Sequence, residues 1–395
     1  MEGKRFIHTL RLENFLSYGS EGEEIELQPL NVLIGSNTSG KSNLIEAIGI
    51  LRATPKDLPA AFRQGGGISE FLWKGNKDIP IAKFTISVDY PKELKTLFYS
   101  INFTKYQQKI ELLDEEIKDK NYTYFDRSDI DGNPSFTVKE KDINGVEKLY
   151  NEFWDSELLE LEQSILAQVQ EARKYPEITY IRNQFSQICI YRDLPIGRHC
   201  EPRKPQQTDL PEYPLLEDGS NLGLVLNNLQ NQIGSRKIIE KLKKFYDAVE
   251  ELNVRIYGGT VQIFIREEGL VQPIPATRLS DGTLRYLFLI ALLLDPTPPP
   301  LICLEEPEIG LHPDILPTIA EMLIEASQRT QLIVTTHSDA LVSALSEYPE
   351  SVLVCERDEK GSHLRRLEPD QLKNWLENYT LGDLWRMGEI GGNRW

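Results

Sequence analysis

Residues 31–48 read NVLIGSNTSGKSNLIEAI, and the order of residue types in this run decides the fold class. Asn31 to Ile34 form a short apolar stretch with the character of a buried strand, and from Lys41 onward Leu44, Ile45, Ala47 and Ile48 recur at helical spacing. Between them Gly35, Ser36, Asn37, Thr38, Ser39, Gly40, Lys41 and Ser42 fit G-x-x-x-x-G-K-[ST], in the strand-to-helix context that this motif requires. The glycines let successive backbone N–H groups converge on one point, and the helix N-terminus adds a positive dipole end, so the loop is built to cradle phosphate. In such a loop Lys41 brings a mobile positive charge to the β- and γ-phosphates of ATP, and Ser42 brings a hydroxyl to Mg²⁺. The competing reading, a glycine- and serine-rich turn with no function, has to explain both flanks and does not.

Further along, Leu301 to Leu304 form an apolar strand that ends in Glu305 and Glu306. Two acids at a buried strand tip are costly unless something offsets their charge. A bound Mg²⁺ and a polarised water do so, with Glu305 at the metal and Glu306 orienting or deprotonating the attacking water. Acids that merely cap the next helix are the bland alternative. The following strand, QLIVTTHS at 331–338, brings His337 to the same carboxyl edge if the two strands are parallel neighbours, where ligands of open α/β sheets bind. We assign it to sensing the γ-phosphate. Leu279-Ser280-Asp281-Gly282-Thr283 precedes a long apolar helix and offers a hydroxyl, a glycine backbone and a helix N-terminus, which makes a second anion site. One nucleotide does not need two cradles in one chain.

The rest of the chain places these motifs in two α/β halves. Residues 6–13 and 24–34 read as strands, and IAKFTISVDY and KTLFYSINF as an antiparallel ribbon. From 107 to 175 the composition turns charged, with helix-like pieces at 108–120 and 156–174 around a hairpin-like 131–141. A Pro-rich loop covers 198–219, one or two surface helices follow to about 252, and then RIYGG, VQIFIREEG and LVQPI read as short strands. The expected division is 1–105 as the N-terminal half of a head with a β side lobe, 106–250 as a lid-like helical and loop insertion, and 251–395 as the C-terminal half. The predicted fold class is α/β, a mixed-sheet core with an antiparallel β side lobe and a helical insertion.

Composition narrows the function classes. The chain has 395 residues, 40% hydrophobic and 27% charged, which is ordinary for a globular protein. Sixty-one acids against 44 Lys plus Arg give 44 − 61 = −17, a field that opposes non-specific binding to nucleic acid unless cations cluster. Candidate clusters are Lys4-Arg5, Arg11, Arg198, Arg203-Lys204 and Arg236-Lys237-Lys241-Lys243-Lys244, and a solvated helix face is the simpler account of the last. The four cysteines lack C-x-x-C spacing, so neither a zinc ribbon nor a disulfide framework is expected, and free thiols indicate a reducing cytoplasm. No run reaches the roughly 20 apolar residues of a membrane span.

Taken in order, GSNTSGKS, LSDGT, LICLEEPE and TTHS resemble the motifs of the ATP-binding-cassette ATPases of the RecF and SMC branch, and the opening LRLENFLSYGSEGEEIELQPL is similar to a RecF-type N-terminus. The ending LGDLWRMGEIGGNRW resembles that of small stand-alone ATPases of the AAA_21 type. The resemblance implies a P-loop NTPase of the ABC-ATPase head type that uses ATP and Mg²⁺. Two copies then form a homodimer head to tail on ATP binding, so that Ser280 and Gly282 contact the γ-phosphate in trans. Asp281 and Thr283 depart from the usual signature, and Glu305 stands where many members have Asp. Residues 307–313 (PEIGLHP) occupy the dimer-contacting loop, with His312 stacked or hydrogen-bonded there. Gln64 and Gln206 are the candidates for the Q-loop glutamine.

The readings that follow are a hydrolysing ATPase whose dimerisation controls DNA binding or a separately encoded nuclease or toxin, in DNA repair or anti-phage defence. A non-hydrolysing ATP-gated scaffold and a transporter subunit are the alternatives. Long heptad arms are absent, and with so short a tail after SVLVCE any cleavage activity is expected to belong to another chain.

Overall fold

The computed structural model describes residues 2–127, 133–141, 147–155, 159–192, 194 and 196–392. The first half contains β1 (Ile7–Glu13), β2 (Glu23–Glu26), β3 (Leu30–Gly35), α1 (Lys41–Ala53), α2 (Leu58–Gln64), α3 (Ile68–Phe71), β4 (Ala82–Tyr90), β5 (Lys95–Tyr106), β6 (Lys109–Lys118), β7 (Thr123–Arg127), β8 (Ser135–Lys141) and β9 (Glu147–Phe153). The middle carries α4 (Ile165–Gln168), α5 (Pro176–Ser186), β10 (Cys189–Tyr191), β11 (Gln206–Gln207), α6 (Leu222–Ile233), α7 (Ser235–Lys243), β12 (Val249–Tyr257), β13 (Thr260–Glu267) and β14 (Ile274–Pro275). The last part holds α8 (Asp281–Leu293), β15 (Leu301–Glu305), α9 (Leu316–Ser327), β16 (Gln331–Thr335), α10 (Asp339–Ser343), β17 (Val352–Asp358), β18 (Gly361–Arg366), α11 (Pro369–Leu376) and α12 (Leu381–Met387).

Among the described residues three sheets result. The central one runs β10-β15-β16-β3-β17-β18, parallel except for its last strand. Strands β3 and β16 are buried at every position, as a parallel sheet covered by helices on both faces requires. Alternate residues feed two cores: Leu33 packs with α1, α5 and the large sheet, while Leu30, Val32 and Ile34 pack with α6, α8, α9 and α12. The large sheet, β2-β1-β4-β5-β6-β7-β8-β9, is antiparallel throughout. A small third sheet joins β11, β13, β12 and β14.

Gln331, fully buried at the start of β16, ties the first two sheets together. Its Oε1 accepts from the amides of Phe6 (3.3 Å) and Ile7 (2.9 Å), and its Nε2 donates to the carbonyls of Ile7 (2.8 Å) and Gln28 (3.1 Å). Every polar atom of the side chain is thereby satisfied away from water.

The structure corrects several local expectations. The run 24–34 is two strands in two different sheets, separated at Gln28-Pro29, with β2 pairing β1 and β3 entering the core. Within 108–120, Lys109–Lys118 form β6 and not a helix, so the antiparallel sheet continues through the charged segment. Within the described part of 156–174 only Ile165–Gln168 is helical, and residues 156–158 lie outside the described residues. Residues 135–141 form one arm of a hairpin with β9; 131–132 of the expected turn lie outside the described residues. Of the AAA_21-like ending, 393–395 lie outside them too.

Candidate nucleotide site

Strand β3 delivers Gly35 to the carboxyl edge of the central sheet, and the loop to α1 is seated tightly. Gly35 has φ 150° and Gly40 φ 110°. A Cβ on Gly35 would meet the Cys355 carbonyl at 2.3 Å, and one on Gly40 would meet Ser362 Oγ at 2.3 Å, so no larger residue fits either place. Thr38 between them has φ 72°, the left-handed region that side-chain-bearing residues rarely enter. Lys41 is 6% exposed, and its Nζ donates to the carbonyls of Gly35 (2.7 Å) and Ser36 (3.1 Å). Burial lowers its pKa, and Cys355 and Glu306 oppose that shift.

Register brings the other motif residues to the same edge. Glu305, the last residue of β15, lies opposite Thr335 of β16, and Thr335 lies opposite Leu33 of β3. Glu306 leaves the strand with φ 45° and donates its amide to the Thr335 carbonyl at 3.0 Å. Such a non-glycine residue in the left-handed region is a local cost of the kind found at functional sites. His337 Nε2 stands 3.7 Å from Glu306 Oε1. Burial, then the charge of Lys41, pushes the His337 pKa down, while Glu306 and Glu308 pull it up. Lys41, Glu306 and His337 therefore lie within electrostatic reach of one another.

Ser280 is elsewhere. It caps α8, with Oγ accepting from the Thr283 amide at 3.0 Å and 2.8 Å from Thr283 Oγ1. Gly282 faces Phe245 and the Gly310 carbonyl, so the signature abuts the 307–313 segment. Among the described residues no hydrogen bond or ion pair joins 280–283 to the phosphate loop of the same chain. His312 is 74% exposed; it accepts the Asp314 amide at 3.4 Å and caps the short turn that follows.

The residues present fit a nucleoside triphosphate with Mg²⁺. Ser39 Oγ and Glu308 Oε2 are buried with no hydrogen-bond partner among the described residues, and the two glycines keep a concavity that a Cβ would fill. Two family models match: one described as "AAA ATPase domain" over residues 6–192, the other as "AAA domain, putative AbiEii toxin, Type IV TA system" over 192–343. The crystal structure of an Smc head bound to the C-winged helix domain of ScpA is similar at TM-score 0.55 and 14% identity, over 93% of this chain and 99% of that one. An Smc head domain with an extended coiled coil, bound to the C-terminal domain of ScpA derived from Pyrococcus furiosus, is similar at TM-score 0.55 and 15% identity, over 94% and 98%. Successive parts of the chain thus match AAA ATPase models, and its fold is that of an Smc head. No curated protein matches the chain.

Three side chains take parts in the site that the motifs did not assign to them. Arg192, one residue past β10 and so beside the tip of β15, pairs with Glu46 of α1 at 2.5 Å and approaches Glu305 at 3.6 Å. Its Nη2 lies across Gly49, where a Cβ would sit 3.5 Å away; a glycine inside the helical run was the sequence signal. Arg203 donates to the carbonyls of Gly197 (2.9 Å), Ala276 (3.1 Å) and Leu279 (2.6 Å) and pairs with Asp281, which gives the departure at Asp281 a partner. Glu308, the third acid of EEPE, bonds the loop that carries His337.

Among the described residues neither glutamine candidate hydrogen-bonds the phosphate loop, Glu305, Glu306 or His337. Gln64 ends α2 and lines a cleft of about 340 Å³ with Glu46, Arg52, Arg192 and Glu217. Gln206 is buried and accepts the Gly223 amide at 2.6 Å.

The structure pairs many of the clustered cations with acids: Arg5 with Glu26, Arg11 with Glu13, Lys204 with Glu201, Arg236 with Glu240 and Lys241 with Glu325. Lys237, Lys243 and Lys244 are exposed on and just after α7. Among the described residues no helix is long and apolar enough to cross a membrane.

Proposed function

We propose that this protein binds ATP with Mg²⁺ in the loop 35–42 and hydrolyses it when a second copy closes the site. The observation that supports the reading is the gathering of Lys41, Glu306 and His337 at one sheet edge, with Ser280 and Gly282 unattached to it. Backbone amides of Gly35 to Gly40 and the N-terminus of α1 bind phosphate, and Lys41 places its charge on the terminal groups. Ser42 and Glu305 would hold Mg²⁺, which when bound neutralises charge on the phosphates. Glu306 orients a water and takes its proton. His337, kept neutral at pH 7 by burial and by Lys41, donates one hydrogen bond toward the γ-phosphate. Ser280 and Gly282 of a partner copy complete the wall.

On this reading dimerisation is the output, and it controls DNA or a separately encoded effector in the cytoplasm. The type IV toxin–antitoxin description of the model over 192–343 favours a defence role over repair. That the similar Smc heads are bound to domains of ScpA supports a small partner domain on this head as well. Replacing Glu306 tests the engine: Glu306→Gln is expected to retain ATP and accumulate as a dimer while turnover falls on the order of 10²-fold or more. Turnover equal to wild type removes Glu306 from the role.

A further inference from the structure

We propose that Glu308 is the positioning residue of His337. The inference rests on the hydrolysis reading for its catalytic meaning and on geometry alone for its structural content. The turn after β15 throws Glu308 back over the strand tips: Ile309 donates to the Glu306 carbonyl at 3.2 Å, and Leu311 to the Glu308 carbonyl at 3.0 Å. Glu308 Oε1 there accepts the Thr336 hydroxyl at 2.5 Å and the His337 amide at 3.0 Å. Thr336 is fully buried; its amide donates to the Leu33 carbonyl at 3.2 Å, and its Oγ1 accepts the Ser338 amide at 3.0 Å. Segment 336–338 is thus held by β3 on one side and by one carboxylate oxygen on the other.

Two acids of one turn then divide the histidine between them. Glu306 faces the ring, with 3.7 Å between Oε1 and Nε2, and Glu308 fixes the backbone from which the ring projects. The second oxygen, Oε2, is buried and bonds nothing among the described residues, so without nucleotide Oε1 alone anchors the carboxylate. An acid serving only to finish the turn would bond its own loop. Glu308 instead spends its oxygen on the exit of the neighbouring strand, where charge-assisted bonds of this kind fix geometry as well as adding stability.

The test uses the full chain with histidine ring carbons labelled. The His337 resonance is assigned by its loss in His337→Gln, and the other four histidines serve as internal controls. Glu308→Ala is expected to move or broaden the His337 signal while leaving those four in place. Glu308→Gln, which keeps an acceptor oxygen, returns it. In turnover, Glu308→Ala lowers kcat by about 10-fold or more with KM for ATP within about 3-fold, and combining it with His337→Ala costs no more than His337→Ala alone. If Glu308→Ala does not fold, Thr336→Val removes the same bond from the other side and must move the same signal. A His337 signal unchanged in the folded variant, or losses that multiply in the double variant, overturns the proposal. A wild-type protein with no turnover sinks the hydrolysis reading instead, and the resonance still decides the role of Glu308.

Discussion

A methyl group on Gly35 has nowhere to go but into the Cys355 carbonyl of β17, so Gly35→Ala is expected to displace the loop and abolish retention of a fluorescent ATP analogue, as Lys41→Ala does. Gly197→Ala, with open space around its Cβ and no left-handed backbone to strain, is the control and should bind normally. Normal binding in Gly35→Ala would contradict this account of the loop. The glycine pattern itself was legible from spacing. Its steric cause was not, because Cys355 and Ser362 lie on strands that only the fold brings alongside. The same limit hid Arg203: a cation in a Pro-rich loop reads as a surface charge until the fold lays it on the carbonyls before the signature. With three carbonyls and Asp281 as acceptors, Arg203→Ala should cost about 1–3 kcal/mol in a denaturant titration. A loss near zero would make the contact incidental.

At the scale of elements, α1 carries a glycine where its propensity argues against one. Gly49→Ala is expected to stabilise the protein by about 0.5–1 kcal/mol, since its Cβ meets Arg192 only at ordinary contact distance. Destabilisation in a thermal melt would mean that Arg192 does not tolerate the methyl. Strand β6 shows why the charged segment misled. Its composition, KIELLDEEIK, favours helix, and a register shift opposite Asn102/Phe103 breaks the alternation of its buried residues. Ile110, Leu112, Glu115 and Ile117 face inward, and no simple period describes that set. The buried Glu115 is tolerated because Tyr99, Ser164 and the Ile165 amide all donate to it, partners that sequence spacing does not announce.

The turn after β6 supplies a pH test. Burial raises the Asp119 pKa, but bonds from Tyr124, the amides of Asn121 and Tyr122 and Lys95 outweigh it and bring the value from 3.8 to about 2. A depressed carboxylate contributes stability above its unfolded pKa and loses it as pH falls through the folded one. The stability difference between wild type and Asp119→Asn should therefore shrink as pH is lowered from about 4 to 2, read from denaturant midpoints. A difference that stays constant over that window removes the ion pair from the explanation.

For the whole molecule, the order strand, phosphate loop, helix at one end and βαβαβ at the other was enough to read an α/β mixed-sheet core; that both ends enter one sheet came from the structure. The alternation put His337 on the strand beside the two acids, but it could not show that β3 lies on the other side of β16, which is what brings Glu306 and His337 into range of Lys41. The net charge of −17 and the pairing of many clustered cations make DNA a local matter. If the exposed Lys237, Lys243 and Lys244 carry it, affinity should fall steeply with salt and weaken on their replacement, whereas a flat salt response points to a protein effector.

Shared active sites are most directly tested by mixing two inactive variants. Ser280→Arg and Lys41→Ala are each expected to show no turnover, Ser280→Arg still binding ATP as a monomer. The 1:1 mixture should regain a fraction of wild-type turnover through hybrid pairs with one intact site. Full activity in Ser280→Arg by itself, or no recovery in the mixture while hybrid pairs form, would contradict the account.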